Sequence, residues 1–294
     1  MSETPLHFKT LTELADLIKS KTLSPVEVTE VMLNRIREQD PIYKSYATVM
    51  AEQAMVSAKA AEQAISTGNY LGPLHGVPIA VKDLCFTKGV ATMGATKALK
   101  GHVPDFDCTV VQRLNAAGAI ILGKLNLTEG AMAGYNPEFQ VPVNPWGANL
   151  WSGASSSGSG VATSAGLCYG SLGSDTGGSI RFPSAACGIV GIKPTWGRVS
   201  RYGVLALAES LDHIGPMTRS AADAGIILQA IAGLDLNDPT TLPAPVPGML
   251  EGIDQGVQGL RIGLDEEYVS GNTDPELVEG VLAGIRIMEG LGAV

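Results

Sequence analysis

Short apolar runs alternate with amphipathic helical patterns along most of this chain, and this alternation constrains the fold more than any other feature. In DCTVVQRLNAAGAIILGKLN, a helical pattern ends at Gly118 and a strand-like run follows at 119–122. The same order continues through apolar runs at 161–167 and 189–192, a helix at 221–232, a strand at 260–264 and a helix at 275–291. Such alternation predicts an α/β fold with a mixed, mostly parallel central sheet covered by helices.

The two ends of the chain differ from this alternating middle. Residues 1–70 read as helices, and we expect them to form a helical N-terminal layer. Residues 71–235 hold the alternation and would form the core. We interpret residues 1–294 as a single domain, in which residues 236–294, opening with a Pro- and Gly-rich surface connection, begin an incomplete C-terminal part.

Charge and composition exclude several classes of function. The formal net charge is -9 without any Lys/Arg-rich block, so we expect no direct contact with nucleic acid. No signal-peptide pattern and no apolar stretch of about 18 residues occurs, so we expect no membrane contact. The widely spaced cysteines lack CxxC pairing and are expected to be reduced core thiols of a cytoplasmic protein: Cys85, Cys108, Cys168 and Cys187.

A serine- and glycine-rich stretch, SGASSSGSG at 152–160, allows three interpretations: a flexible linker, a phosphate-binding loop or part of an active site. A phosphate-binding loop would need Lys and then Ser or Thr after its last glycine. Here Gly158 is followed by Ser159, and Gly160 by Val161. The phosphate loop is therefore disfavoured, whereas the composition of the stretch leaves the other two interpretations open.

Several other kinds of active site lack their residues. No HExxH motif, EF-hand loop or Cys/His cluster is present, so we expect no metal and no other cofactor. No GxSxG motif occurs, so a Ser-His-Asp hydrolase has no anchor. His213 beside Asp212 suggests such a triad, but we interpret these neighbours in an irregular segment as local hydrogen-bonding partners. A serine enzyme built from this chain would then use a base other than histidine.

A second stretch, GSLGSDTGGSIRFPSAACGIVGIKPT, repeats the small residues and adds charge. Gly177 and Gly178 lack Cβ atoms, so successive backbone N–H groups can converge just ahead of Ser179. Such a cluster can stabilise the negative charge that develops when a hydroxyl attacks a carbonyl. A tight turn braced by Asp175 and Arg181 would explain the same residues. The stretch alone does not distinguish such a turn from an oxyanion-binding loop.

Lys82, GASSSGS and the second stretch together resemble the amidase signature family, in matching order and spacing, from about residue 8 to about residue 240. The resemblance implies the amidase signature fold, with helices on both faces of the sheet, and an amidase that forms an acyl-enzyme. It implies a Ser-cisSer-Lys triad: nucleophile Ser179, bridging Ser155 after a cis peptide bond, and Lys82 as the base. It further implies an oxyanion hole of backbone N–H groups and three auxiliary residues: Thr176, Gly177, Gly178 and Ser179 for the hole, and Ser156, Asp175 and Arg181 as auxiliaries.

Lysine can serve as such a base only if its charged form is disfavoured. A free lysine has a pKa near ~10.4 and is charged at neutral pH, and burial lowers that value. The apolar run at 77–81 in LGPLHGVPIAVKD predicts a buried strand with Lys82 at or just past its exit. Ser155 could then accept the proton of Ser179 while passing its own to Lys82.

The chain departs from the family pattern in two ways. Ala154 and Ser157 stand where glycine is frequent, and neither is a triad position. Members of the family also continue well past residue 294, so we expect a fragment without much of the acyl pocket, prone to self-association or homodimer formation. For the substrate we expect a small amide whose partly apolar acyl group contacts Met132 and Tyr135.

Two alternatives remain open. PTWGRVSRYGVLALAESLDHIGPMTRS also resembles the amidase subunit of the glutamyl- or aspartyl-tRNA amidotransferase. That subunit normally has an acidic-aromatic-Ala segment where this chain has LTEGAMAGYNP, which favours a stand-alone amidase. A non-catalytic protein of the same fold is disfavoured by the intact set of triad residues.

Overall fold

Six strands form one sheet in the first of the two units, Met1–Met249 and Leu250–Val294, into which contacts divide the chain. The computed structural model describes residues 4–132 and 134–294. The strands are β1 (Tyr46–Val49), β2 (Pro78–Lys82), β3 (Ile120–Leu125), β4 (Gly170–Asp175), β5 (Val190–Gly191) and β6 (His213–Thr218). Their order across the sheet is β1-β3-β2-β4-β6-β5.

The centre of the sheet is parallel and its margins are antiparallel. β2 is parallel to both of its neighbours, β3 and β4. The β1–β3, β4–β6 and β5–β6 pairs are antiparallel. Because β5 is antiparallel to β6 and β6 to β4, four of the six strands run in one direction: β3, β2, β4 and β5. The prediction of a mixed, mostly parallel sheet is confirmed.

Helices flank this sheet. In the first unit they are α1 (Leu11–Lys19), α2 (Pro25–Tyr43), α3 (Ala51–Ser66), α4 (Thr109–Ala116), α5 (Ser157–Ser164), α6 (Arg181–Cys187) and α7 (Ala221–Ile231). Capping boxes start the first two, at Thr10 and at Ser24, because each hydroxyl accepts a backbone N–H that the helix itself leaves unpaired. Between residues 4 and 70 the chain is largely helical, and β1 lies between α2 and α3.

The beginning of α1 is tied to α7 through one buried carboxylate. Asp223 accepts hydrogen bonds from the backbone N–H groups of Leu11 at 3.0 Å and Thr12 at 3.1 Å, and from the Thr12 hydroxyl at 2.8 Å. Since the positive end of a helix attracts negative charge, this contact suits a carboxylate. The apolar side chains of Leu11, Leu14 and Ile18 lie in the core beneath it.

The structure differs from the expected strands at three places. The run at 161–167, expected to be a strand, is not one, because its first residues complete α5. β4 and β6 form in GSLGSD and HIGPMT, which are rich in residues of low β propensity and were not predicted as strands. The predicted strand at 77–81 is confirmed as β2, and Lys82 is its last residue.

The second unit contains α8 (Glu266–Ser270) and α9 (Pro275–Gly290). The strand predicted at 260–264 is absent there: the Ile262 N–H donates to the Val294 carbonyl and the Val294 N–H donates to the Leu260 carbonyl, each at 2.8 Å, and two such bonds are too few for a ladder. Within residues 4–132 and 134–294, none of the helices is long and apolar enough to cross a membrane.

The four cysteines are buried free thiols, as predicted. Burial raises the pKa of Cys168 to about 11 and that of Cys187 to about 12. These thiols are packing residues of the first unit.

Candidate active site

Lys82 ends β2 with its amine among three serine hydroxyls. The residue is 1% exposed, and its Nζ lies 2.7 Å from the Oγ of Ser155, 2.9 Å from that of Ser156 and 2.8 Å from that of Ser174. Lys82 and Ser174 meet because β2 and β4 are parallel neighbours whose carboxyl ends reach one edge of the sheet. A neutral amine can donate to two hydroxyls and accept from the third, whereas an ammonium can only donate.

The protonation of Lys82 is governed by burial. Removal from water lowers the pKa of Lys82 to about 7 from its ordinary 10.5, and the influence of Cys85, Asp175 and Asp212, which favours the charged amine, only partly opposes this. A large fraction of the amine is therefore neutral near pH 7. An amine in that state can accept a proton from a neighbouring hydroxyl.

The serine-rich stretch forms a tight loop that leads into α5. The Ala154–Ser155 peptide bond is cis, and Gly153 before it has a φ of 76°. A Cβ at Gly153 would lie 2.2 Å from the Cα of Pro183, so only glycine allows this close approach. Ser155 and Ser156 are both 0% exposed. The loop thereby places two hydroxyls against Lys82, and the linker interpretation of this stretch is wrong.

Ser174 is the site residue that sequence analysis missed. Besides contacting Lys82, its backbone N–H donates to the Ser156 hydroxyl at 3.2 Å, and that hydroxyl donates to the Ser174 carbonyl at 3.1 Å. Ser174 therefore contacts both the Lys82 amine and the Ser156 hydroxyl. Its position one residue before Asp175 could have drawn attention to Ser174. That position points to Lys82 only once β4 is known to be a strand beside β2, and β4 was not predicted.

Ser179 ends a short loop whose last three backbone N–H groups have no acceptor among the described residues. Among the described residues, none accepts a hydrogen bond from the N–H groups of Gly177, Gly178 or Ser179, and Thr176 precedes them at the end of β4. Gly178 has a φ of 140°, which L side chains rarely adopt. Ser179 is half-buried, and its carbonyl accepts the Ser156 N–H at 3.3 Å. The loop thus presents a hydroxyl beside free N–H donors, as stabilisation of an oxyanion requires.

Asp175 and Arg181 hold this loop at its two ends. The guanidinium donates from Nε and Nη2 to the two carboxylate oxygens, each at 3.0 Å, and the Ile180 N–H donates to the same carboxylate at 3.1 Å. Burial alone would raise the pKa of Asp175, but the hydrogen bonds from Arg181 and the backbone outweigh it, and the pKa lies below its usual value. The carboxylate is therefore a fixed anchor for the turn.

Asp212 and His213 serve different contacts and do not act as a pair. Asp212 accepts the Thr176 hydroxyl at 2.5 Å and the N–H groups of Leu207 and Ala208. His213 is the first residue of β6, so its placement in an irregular segment was wrong. Its Nδ1 lies 3.1 Å from the Asp175 carbonyl oxygen. The interpretation of these neighbours as hydrogen-bonding residues agrees with the contacts.

The two residues expected around the acyl group lie on the loop after a short 3-10 helix, Glu129–Ala131. Met132 is 61% exposed and Tyr135 is half-buried. Neither lines the cavity of about 530 Å³ that opens beside Ser174. That cavity has apolar and charged walls, among them Leu205, Ile214, Arg201 and Asp238.

The chain is similar in sequence to proteins named as an amidase and as an amidotransferase subunit. The chain is 58% identical over 237 residues to a Mycobacterium tuberculosis protein named "Putative amidase AmiD", a match that covers 81% of this chain and 50% of the relative. It is 46% identical over 286 residues to one subunit of the glutamyl-tRNA(Gln) amidotransferase of Geobacter metallireducens, covering 97% of this chain and 59% of that protein. The chain thus spans about half to six-tenths of the length of these curated relatives.

Solved structures show the same relationship. The native peptide amidase of Stenotrophomonas maltophilia superimposes with a TM-score of 0.89 at 34% identity, covering 99% of this chain and 62% of that one. A bacterial aryl acylamidase of the amidase signature enzymes gives a TM-score of 0.89 at 28% identity, covering 99% of this chain and 61% of that one. Residues 27–294 match the family model described as Amidase. This chain therefore belongs to the amidase signature family.

Proposed function

We propose that this chain belongs to an amidase that hydrolyses a carboxylic amide to an acid and ammonia or an amine. Ser179 is the nucleophile, Ser155 the bridging serine and Lys82 the base. The observation that carries the proposal is the buried Lys82 amine, with its pKa lowered to about 7, in hydrogen-bond contact with Ser155. The amidase and amidotransferase relatives support the same class of reaction.

The reaction proceeds through an acyl-enzyme. The Ser179 oxygen attacks the amide carbonyl while Ser155 accepts its proton and passes its own to the neutral Lys82. The backbone N–H groups of Thr176, Gly177, Gly178 and Ser179 stabilise the carbonyl oxygen as it becomes negative. The proton returns through Ser155 to the leaving nitrogen, and water then releases the acid from Ser179.

The test is hydrolysis of a panel of small amides, followed as ammonia or amine release. We expect turnover by the wild type and its loss in Ser179→Ala and Lys82→Ala. Ser66→Ala and Lys97→Ala remove exposed residues of the same types and should leave turnover unchanged. Intact-mass measurement after treatment with an alkyl fluorophosphonate should show one adduct, absent in Ser179→Ala. Equal turnover in the wild type and both site variants would refute the mechanism.

A second candidate is the amidase subunit of a tRNA-dependent amidotransferase, favoured by the 46% identity to the Geobacter metallireducens protein. A stand-alone amidase releases ammonia from a small amide without other proteins. The subunit would release it only with its partner subunits and a charged tRNA. Ammonia release measured with and without those components separates the two candidates.

A further inference from the structure

A second buried lysine lies one strand away from Lys82. Lys124 in β3 is 0% exposed, and its Nζ is 3.2 Å from Oδ1 of Asp83, the residue that directly follows Lys82. The same Nζ donates to the Thr92 hydroxyl at 2.6 Å. In the β2–β3 register Val81 is beside Lys124, so the ion pair lies on the opposite face of the sheet from the Lys82 side chain.

Asp83 is held by hydrogen bonds at its backbone N–H, its carbonyl and its Oδ2. Its N–H donates to the Leu125 carbonyl at 2.9 Å, and its carbonyl accepts the Gly94 N–H at 3.0 Å. Its Oδ2 accepts the Met93 N–H at 3.0 Å. Its Oδ1 is buried and, within the described chain, has no hydrogen-bond partner, so it faces Lys124 as an ion pair. The lysine therefore completes the set of contacts that fix Asp83.

We propose that the Asp83–Lys124 ion pair positions Lys82 and keeps the end of β2 free of net charge, so that the Lys82 amine can act as a base. The inference rests on the proposed function, in which Lys82 is that base. Asp83 is joined to Lys82 by one peptide bond, so fixing Asp83 fixes the direction in which Lys82 leaves β2. An anion and a cation side by side largely cancel each other's effect on a third group.

The groups around Lys82 show why this balance matters. Cys85 after β2, Asp175 at the end of β4 and Asp212 before β6 all favour the charged amine, and burial opposes them. Removing one member of the ion pair would add an uncompensated buried charge to this set. Burial already raises the pKa of Asp83. Where this carboxylate stays ionised without Lys124 it would stabilise the ammonium of Lys82, whereas a second ammonium left alone would destabilise it.

The test is a titration of Lys82 by NMR in protein labelled with ¹³C at the lysine Cε, with the signal assigned by its loss in Lys82→Met. We expect Lys124→Met to raise the pKa of Lys82 and Asp83→Asn to lower it. The double variant Asp83→Asn/Lys124→Met carries neither charge and should return the pKa close to the wild-type value. Opposite signs for the two single variants are the distinctive result.

The matched control is Lys97→Met, which removes the lysine of an exposed ion pair, 2.8 Å from Glu138, and should leave Lys82 unchanged. An unshifted Lys82, shifts of the same sign in both single variants, or a shift that persists in the double variant would each overturn the proposal. If one single variant does not fold, the other and the double variant still decide. The titration needs no turnover, so absence of amide hydrolysis by the wild type would refute the proposed function separately.

Discussion

Two lysines on neighbouring strands of this sheet are equally buried and have different partners. Lys82 faces three serine hydroxyls, and Lys124 faces the Asp83 carboxylate and one hydroxyl. Burial disfavours the charged form of any lysine. Within the described chain, Lys124 has an anion closer than 4 Å, the Asp83 carboxylate, and Lys82 has none. The two sites therefore differ in the partner of the lysine and not in the depth of its burial.

The largest contrast is expected in catalysis. Lys82→Met removes the proposed proton acceptor and should lower kcat/KM for amide hydrolysis by about 10⁴-fold, the usual scale for loss of a triad member. Lys124→Met should act only through the position and pKa of Lys82 and cost less. Steady-state rates of ammonia release measure both, and comparable losses in the two variants would remove the distinction between them.

The next contrast concerns stability against pH. Because the pKa of Lys82 is about 7 in the folded protein and 10.5 ordinarily, the unfolded chain holds a proton that the folded protein has lost between these values. The free energy of unfolding should therefore rise with pH across this window, by about 5 kcal/mol in total for this one group. Urea unfolding of the wild type and of Lys82→Met at several pH values separates the contribution of Lys82 from that of all other titrating groups. A constant difference between the two proteins across the window would contradict the lowered pKa.

Lys124→Met should lower the stability of the folded protein at neutral pH. It leaves Asp83 buried without its cation, so we expect the free energy of unfolding to fall by about 3–5 kcal/mol. Asp83→Asn/Lys124→Met should recover most of the loss, since no buried charge remains unpaired. Urea denaturation at pH 7 measures all three, and a double variant no better than the single one would argue against the pairing.

A smaller effect is expected for the third hydroxyl around Lys82. Ser174→Ala removes one hydrogen-bond partner of the amine and should lower kcat about tenfold, with KM little changed. Ser66→Ala, in the exposed last turn of α3, is the control of the same chemistry. An unchanged kcat in Ser174→Ala would show that two hydroxyls are enough to hold the amine.

The smallest effect is expected away from both lysines, in the loop after residues 129–131. Tyr135→Ala and Met132→Ala should each raise KM a few-fold for amides with an apolar acyl group, about 1 kcal/mol, and leave acetamide unaffected. KM measured for the two amides separates a substrate contact from a general loss of structure. Equal changes for both amides would exclude these residues from the acyl site.

The sequence was informative where a residue's role depends on its immediate neighbours. Lys82 was placed at the exit of a buried strand because the apolar run before it is unambiguous, and the structure has it there. The glycines around Ser179 predicted a loop with converging N–H groups for a similar local reason. Such features need no knowledge of which strands are adjacent.

The features that were missed depend on strand order. Ser174 contacts a lysine 92 residues earlier in the chain. It lies in β4, whose glycines and serines have low β propensity, so the strand was not predicted. Lys124 pairs with Asp83 only because β3 lies beside β2 in a register that the sequence does not state. Both contacts depend on the strand order β3-β2-β4. The sequence patterns of these three strands do not predict that order.

The carboxylate that closes the start of α1 has a consequence for how the protein is made. Asp223 lies 212 residues beyond Leu11, so the ribosome delivers the first helix long before the residue that holds its N-terminus. At about 5–20 residues per second, this wait lasts roughly 10–40 s. During that interval α1 has no α7 to pack against, so the contact that closes its N-terminus forms only after residue 223 has been made.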